Sequence, residues 1–335
     1  MTSGGTPSPL GPRTARKSPT HSASPAAGSS WPRAPTEAQM RVVAVGRFDG
    51  VHRGHRHLLA AARKLAKELG VSCCAYTFPP KGEALLPLAA KRRLLAELCD
   101  EVIVRPWEEV RHLTPEEFVE GELKGRVSAV GVVLGPDHRF GRGAAGDAEL
   151  LSKLGSRLGL TVLVVTPLLE DGEPISSRRI RALIKEGRVE EAARLLGRPH
   201  LTVGQRVRGA GLAKELGYPT VNLELWPGLV EPRAGVYAAW AHWRGGNGPG
   251  LFYRGARGTF SELPPSTELH LLSPPRPEPE GPVEVWLASF LRPDRTFPSE
   301  RELVAAIQRD VSKAREILAR LSPPQPLVVS ERNSD

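Results

Sequence analysis

The segment Val42–His55 sets the strongest limit on how this chain can fold. Four apolar residues, Val42-Val43-Ala44-Val45, run into Gly46-Arg47-Phe48-Asp49-Gly50-Val51-His52-Arg53-Gly54-His55. Leu58, Leu59, Ala62, Leu65 and Leu69 then recur at helical spacing, with Lys64 and Lys67 on the opposite side. The order is strand, glycine-rich turn, helix, which opens an α/β sheet. Gly46, Gly50 and Gly54 allow close backbone approach to a phosphate chain. A helix N-terminus directs unpaired N–H groups at an anion, and two imidazoles, His52 and His55, stand at that mouth. Donors so placed act where charge builds during phosphoryl or nucleotidyl transfer. The plainer alternative is a helix that opens with two surface histidines.

The pattern continues to about Leu201. Strand-like runs at Cys73–Phe78, Glu101–Val104, Ala129–Leu134 and Thr161–Val165 alternate with helical segments, so a parallel sheet covered by helices is expected. Thr114-Pro115-Glu116-Glu117 reads as a helix start, with threonine as cap and proline in the first turn. After Arg198-Pro199 short β runs replace the helices: Val236–Trp243, Thr267–Leu272 and Val283–Phe290, separated by Gly- and Pro-rich turns. They predict a small antiparallel barrel or sandwich. A terminal helix capped by Ser299 carries Leu303, Ile307, Val311, Ala314, Ile317 and Leu318 on one face. The expected boundaries are a disordered extension over 1–39, an α/β module over 40–200, a barrel module over 201–322 and a disordered tail over 323–335. Residues 1–39 are poor in bulky apolar residues and rich in Ser, Thr, Pro, Gly and Ala. Met40 stands directly before the first strand, and either it or Met1 is the natural start.

The net charge of +9 suits polyanion binding or simply a soluble surface. Only 5% of residues are aromatic, so stacking platforms for single strands are not evident and nucleic acid is not the expected partner. Cys73, Cys74 and Cys99 have no metal-ligand spacing, and their odd number argues against a disulfide framework. A reducing cytoplasm fits. No segment has the length and apolarity to span a bilayer.

Further motifs carry polar chemistry. Gly135-Pro136-Asp137-His138-Arg139-Phe140-Gly141 follows a strand, where ligand sites of α/β sheets lie; read alone it is as well a loop with a buried Phe140. Ile175-Ser176-Ser177-Arg178-Arg179-Ile180-Arg181 joins hydroxyls, helix-start amides and guanidinium groups that suit phosphate, though ordinary N-capping also explains the serines. In Leu216-Gly217-Tyr218-Pro219-Thr220-Val221-Asn222, Thr220 and Asn222 share one face of a strand and offer an oxygen pair to Mg²⁺, or form a polar strand edge. Alternation in Thr267-Glu268-Leu269-His270-Leu271-Leu272 puts Glu268 and His270 opposite Leu269 and Leu271, with His270 read as structural.

Taken together these segments resemble bacterial bifunctional riboflavin kinase/FMN adenylyltransferases. The likeness rests on G-x-F-D-G-V-H-x-G-H at Gly46–His55, on Ser176-Ser177 with Arg181, on Leu195-Leu196-Gly197-Arg198-Pro199, and on Leu216–Asn222. It implies a Rossmann-like nucleotidyltransferase module followed by a β-barrel kinase module. It implies ATP over Gly46, Phe48, Asp49 and Gly54, with Ser176, Ser177 and, in the second module, Gly209 also on phosphate. Catalytic roles fall to His52, His55 and Arg181 in adenylylation, and to Glu268 as base in phosphorylation. Asp137 and Phe140 would touch flavin, and Thr220 and Asn222 would hold Mg²⁺. The implied substrates are riboflavin, FMN and ATP, with FAD as final product. An oligomer is compatible with the sequence. The chain departs from the family pattern at Lys81-Gly82, His138, Arg178, Ala213-Lys214, Gly258, Ser273 and Asp294. The competing readings are a FAD synthetase with a degenerate kinase module, and a non-catalytic nucleotide- or nucleic-acid-binding protein.

Overall fold

The computed structural model describes residues 40–208, 217–255 and 266–329. The expectations for residues 1–39, for Gly209, Ala213 and Lys214, and for Gly258 fall outside the described residues. The chain opens with β1 (Arg41–Val45), α1 (Arg53–Leu69), β2 (Ser72–Thr77), α2 (Leu88–Ala96), β3 (Glu101–Val104) and the single turn α3 (Trp107–Val110). Next come α4 (Pro115–Glu117), which widens into a π-helical stretch over Phe118–Arg126, then β4 (Ala129–Leu134), α5 (Ala148–Leu158) and β5 (Thr161–Val164).

The five strands form a parallel sheet in the order β3-β2-β1-β4-β5. β1 is central and buried on both faces, which is why it is apolar without alternation. Val42 and Ala44 pack with Leu59, Ala62 and Ala66 of α1 and with α2. Val43 and Val45 pack on the other face with Phe118, Leu123, Leu151 and Leu154. In this strand order β1 and β4 flank the point where the winding reverses, and the crevice beyond their carboxyl ends is where such sheets take ligands.

A short hairpin, β6 (Leu169–Glu170) and β7 (Glu173–Pro174), leads to α6 (Ser177–Lys185) and α7 (Val189–Leu196). Ser176 caps α6 by accepting a hydrogen bond from the Arg179 amide at 3.3 Å. Then follow β8 (His200–Val207), β9 (Val221–Leu225), β10 (Gly235–Trp243), β11 (Gly246–Gly255), β12 (Ser266–Leu271) and β13 (Pro282–Pro293). They close an antiparallel barrel in the order β10-β11-β12-β9-β8-β13, so the barrel rather than the sandwich is formed. Tyr237, Phe252, Leu269, Val285 and Leu287 fill it. The terminal helix α8 (Glu300–Leu318) covers its outside through Ala314 and Leu318 against Val236, Ala238 and Leu251.

The two modules share a core. Leu201, Val203 and Trp286, on the outer face of the barrel wall, join the cluster beneath α1 and α2. One expectation is corrected here. The segment 323–335 was read as a disordered tail, yet within its described part, 323–329, Leu327 and Val329 are buried. The fully buried Glu284 carboxylate explains this. It accepts hydrogen bonds from the amides of Leu327 (2.9 Å), Val328 and Val329 (2.6 Å), and from the Trp286 indole at 3.1 Å. Burying a carboxylate requires such donors, and the tail supplies them.

Candidate functional site

The turn after β1 is shaped by three left-handed residues, Phe48, Gly50 and Val51. A side chain on Gly50 would meet Leu85 Cδ1 at 2.7 Å, so the position combines φ of +84° with close packing that only glycine tolerates. Arg198, from the junction between modules, donates to the carbonyls of Gly50 (2.6 Å) and Val51 (3.4 Å). His52 caps α1, its Nδ1 accepting from the His55 amide at 3.3 Å. That bond makes Nδ1 the acceptor and leaves the ring proton on Nε2. The two imidazoles stack with centroids 3.5 Å apart, and Phe48 meets His55 edge-on at 5.3 Å. Burial, reinforced by Arg198, lowers His52 to about 3; burial and then its neighbours His52, Lys91 and Arg198 lower His55. Both rings are therefore neutral at ordinary pH. His55 Nδ1 is buried without a hydrogen-bond partner, a polar atom ready for an incoming group.

Beside this pair a pocket of about 360 Å³ opens at the carboxyl ends of β1 and β2. Arg47, Asp49, His55, Lys91, Ser177 and Arg181 form its polar side. Phe78, Pro79, Pro80 and Trp107 form an apolar wall. Phe78 meets Trp107 edge-on at 5.3 Å, and the Arg47 guanidinium lies 5.6 Å from the Trp107 ring centre. Asp49 ties the pocket to α6. Its Oδ1 accepts from the Leu85 amide at 2.8 Å, its Oδ2 from Arg181 at 2.5 Å, and its carbonyl from the Ser177 hydroxyl at 2.8 Å.

In the barrel module, β9 and β12 pair so that Asn222 stands opposite Glu268. Glu268 Oε2 accepts from the Thr220 hydroxyl at 3.0 Å and Oε1 from Ser266 at 3.1 Å. Leu269 and Leu271 point into the barrel core, which leaves Glu268 and His270 on the other face, as the alternation predicts. His270 Nδ1 lies 2.9 Å from the Pro219 carbonyl and so braces the turn that carries Thr220, a structural part. Hydroxyl, amide and carboxylate oxygens are the donors Mg²⁺ takes, so the set fits that ion. Among the described residues no cluster of three His, Cys, Asp or Glu could hold a metal alone. A cation here would complete its shell with water and phosphate oxygens.

Comparison with known sequences agrees with this two-site arrangement. The FAD synthetase family pattern matches residues 34–179 and the riboflavin kinase pattern residues 196–318. A bifunctional riboflavin kinase/FMN adenylyltransferase of Pseudomonas fluorescens is 33% identical over 290 residues, covering 83% of this chain and 93% of its own length. The chain belongs to this family. The enzyme of the same description from Escherichia coli K12 is 32% identical, with 84% of this chain and 94% of that one covered. A solved structure, described as a macrolide-efflux protein from Streptococcus pneumoniae, superposes with a TM-score of 0.74 at 27% identity, covering 84% of this chain and 98% of that one. Among the described residues no helix is long and apolar enough to cross a membrane.

Within the family's framework, the structure brings His52, His55, Asp49, Ser177 and Arg181 to one corner, and Thr220, Asn222 and Glu268 to another. Several of the expected contact residues also have parts within the protein. The Phe48 side chain is buried and supports His55. Asp49 holds Arg181. Gly46 and Gly54 are packing glycines: a Cβ would stand 3.1 Å from the Phe48 ring or 3.2 Å from the His52 ring. Phe140 is buried against Phe118, while Asp137 is exposed on the loop after β4; neither lines the pocket. Sequence reasoning passed over Lys91 and gave Arg198 no role. Each sits among other basic residues or in a junction motif, so only the three-dimensional contacts single it out.

Proposed function

We propose that the chain converts riboflavin to FMN in its barrel module and FMN to FAD in its α/β module, each step consuming one ATP. In the first step Glu268 takes the proton of the flavin's terminal ribityl hydroxyl, whose oxygen attacks the γ-phosphorus of ATP; ADP leaves. Thr220 holds the Glu268 carboxylate in place, and with Asn222 offers oxygen ligands to Mg²⁺. That ion would supply charge neutralisation at the phosphates. In the second step an FMN phosphate oxygen attacks the α-phosphorus of another ATP, and pyrophosphate leaves. The nucleophile arrives with the substrate, so no activated Ser, Cys or Lys is needed. Neutral His52 and His55 donate to the triphosphate, and Arg181, braced by Asp49, places positive charge where the transition state gains negative charge.

The observation that carries this reading is buried His52 stacked on half-buried His55, whose Nδ1 is a buried, unpartnered ring nitrogen at a helix mouth, beside a pocket holding Arg181. Three free, buried cysteines suit a reducing cytoplasm as its place of work. The test is product analysis after incubating the full chain with riboflavin, ATP and Mg²⁺. FMN followed by FAD is expected. Conversion of supplied FMN to FAD with riboflavin left untouched would remove the kinase half of the reading.

A further inference from the structure

Lys91 is a buried cation in the adenylylation pocket that the two reactions leave without a task. It lies on α2 and is 2% exposed. Its Nζ donates to the carbonyl of Arg47 at 3.1 Å, to the hydroxyl of Thr77 at 3.4 Å and to the carbonyl of Phe78. The Thr77 hydroxyl in turn donates to the Arg47 carbonyl at 3.0 Å. An ammonium has three N–H bonds and no acceptor. Three protons thus meet three oxygens, one on the last residue of β2, one on the segment that follows it and one on the turn after β1. Both segments line the pocket: Phe78 and the prolines come from the end of β2, Arg47 and Asp49 from the turn after β1 that leads to His55. None of the three acceptors is a carboxylate, so the contact is a tether more than an ion pair.

We propose that Lys91 is a positioning residue for adenylyl transfer, clasping the turn after β1 to the segment after β2 so that both edges of the nucleotide pocket are held in register. The inference rests on the adenylylation reading above. The clasp has all its bonds only while the amine is protonated. The charged and titratable groups that face it are Arg47 and Asp49 from the turn, His55 from α1, and Arg181 from α6 through Asp49. Burial pushes Lys91 down from 10.5 to about 8, against the pull of Asp49. Above that pH the amine keeps two protons for three oxygens, and one edge is released. FAD formation therefore falls as pH rises through about 8. Stability moves the other way. Between about 8 and 10.5 the unfolded chain binds the proton and the folded chain does not, so the folded state gains as pH rises. A lysine with only a structural part would show the second effect without the first.

The test uses the full chain and the variants Lys91→Met and Lys91→Arg, each assayed for both reactions from about pH 6.5 to 9.5. For Lys91→Met, FAD formation from FMN is expected to lose about 100-fold in kcat, the order of cost of misplacing a site edge. Its FMN formation from riboflavin should stay within about twofold, which reports an intact fold, and the alkaline fall in FAD formation should vanish. Lys91→Arg keeps its charge throughout this range, so it too should lose the alkaline fall; it decides the matter if Lys91→Met does not fold. Wild-type FAD formation in Lys91→Met, or an unchanged alkaline fall in Lys91→Arg, would overturn the proposal. A wild-type chain that makes no FAD from FMN would overturn the reading of the site and this proposal with it.

Discussion

The carboxylate of Asp49 bonds at once to the Leu85 amide and to Arg181, so its loss would leave a guanidinium in the pocket with no fixed direction. Asp49→Asn is expected to lower kcat for FAD formation by about 10- to 100-fold, since a small displacement of a positioning group carries that cost. FMN formation in the barrel module should be unchanged, and steady-state assays of the two reactions separate these outcomes. Asp49 also marks a limit of sequence reading. Its place in the turn was legible, but its partner lies 132 residues away, and no spacing rule reveals such a pairing. Lys91 was hidden for another reason. In Lys91-Arg92-Arg93 a lysine on a short helix reads as solvated, and only the ends of β1 and β2 lying over it make it a buried group. Glu268 was easier, because strand alternation alone puts it with His270 on the face away from Leu269 and Leu271, although its bond to Thr220, 48 residues away, was not legible in the same way.

At the scale of single elements, the join between β1 and α1 depends on backbone freedom at Gly50. Gly50→Ala would strain a residue at φ of +84° and press its methyl on Leu85. A loss of about 1–3 kcal/mol is expected, measured as a lower denaturant midpoint, together with a larger loss of FAD than of FMN formation. Elements with a continuous apolar run or a good cap were legible: β1, β4, α1 and α8. Ser299 does cap α8, accepting from the Glu302 amide at 3.3 Å, and Thr114 closes a capping box with Glu117. β11 was missed because it begins Gly246-Asn247-Gly248-Pro249-Gly250, a composition that signals a turn. Its pairing with β10 overrides that local preference. The widening of α4 into a π-helix left no mark in the pattern of apolar residues.

For the whole molecule, the modules behave as one body because β8, β13 and the segment ending at Val329 bury apolar groups against the first module's helices. A chain stopped at Ser322 would leave Glu284 with the Trp286 indole alone. Stripping a buried carboxylate of its amide donors is expected to cost about 3 kcal/mol or more. Adding Glu284→Gln to the shortened chain should return part of that loss, which chemical denaturation of the two proteins would show. Acid acts on the same body. Burial holds His52 and His200 each at about 3, whereas the unfolded imidazole takes a proton near 6.5. Between those values the unfolded chain binds more protons, so stability falls as pH falls. The cost is about 2 kcal/mol per histidine at pH 5, to be read from denaturant midpoints across that range.

The clasp on Glu284 has a further consequence for biosynthesis. A ribosome that has just finished β13 has made every described strand of both modules, but Glu284 at their junction still has the Trp286 indole as its one side-chain donor among the described residues. The last donors for a charge at the junction of the two modules are therefore the last described residues to be made. A product halted before them would carry both catalytic corners and still open more readily at that junction, which is where limited proteolysis is expected to cut it first.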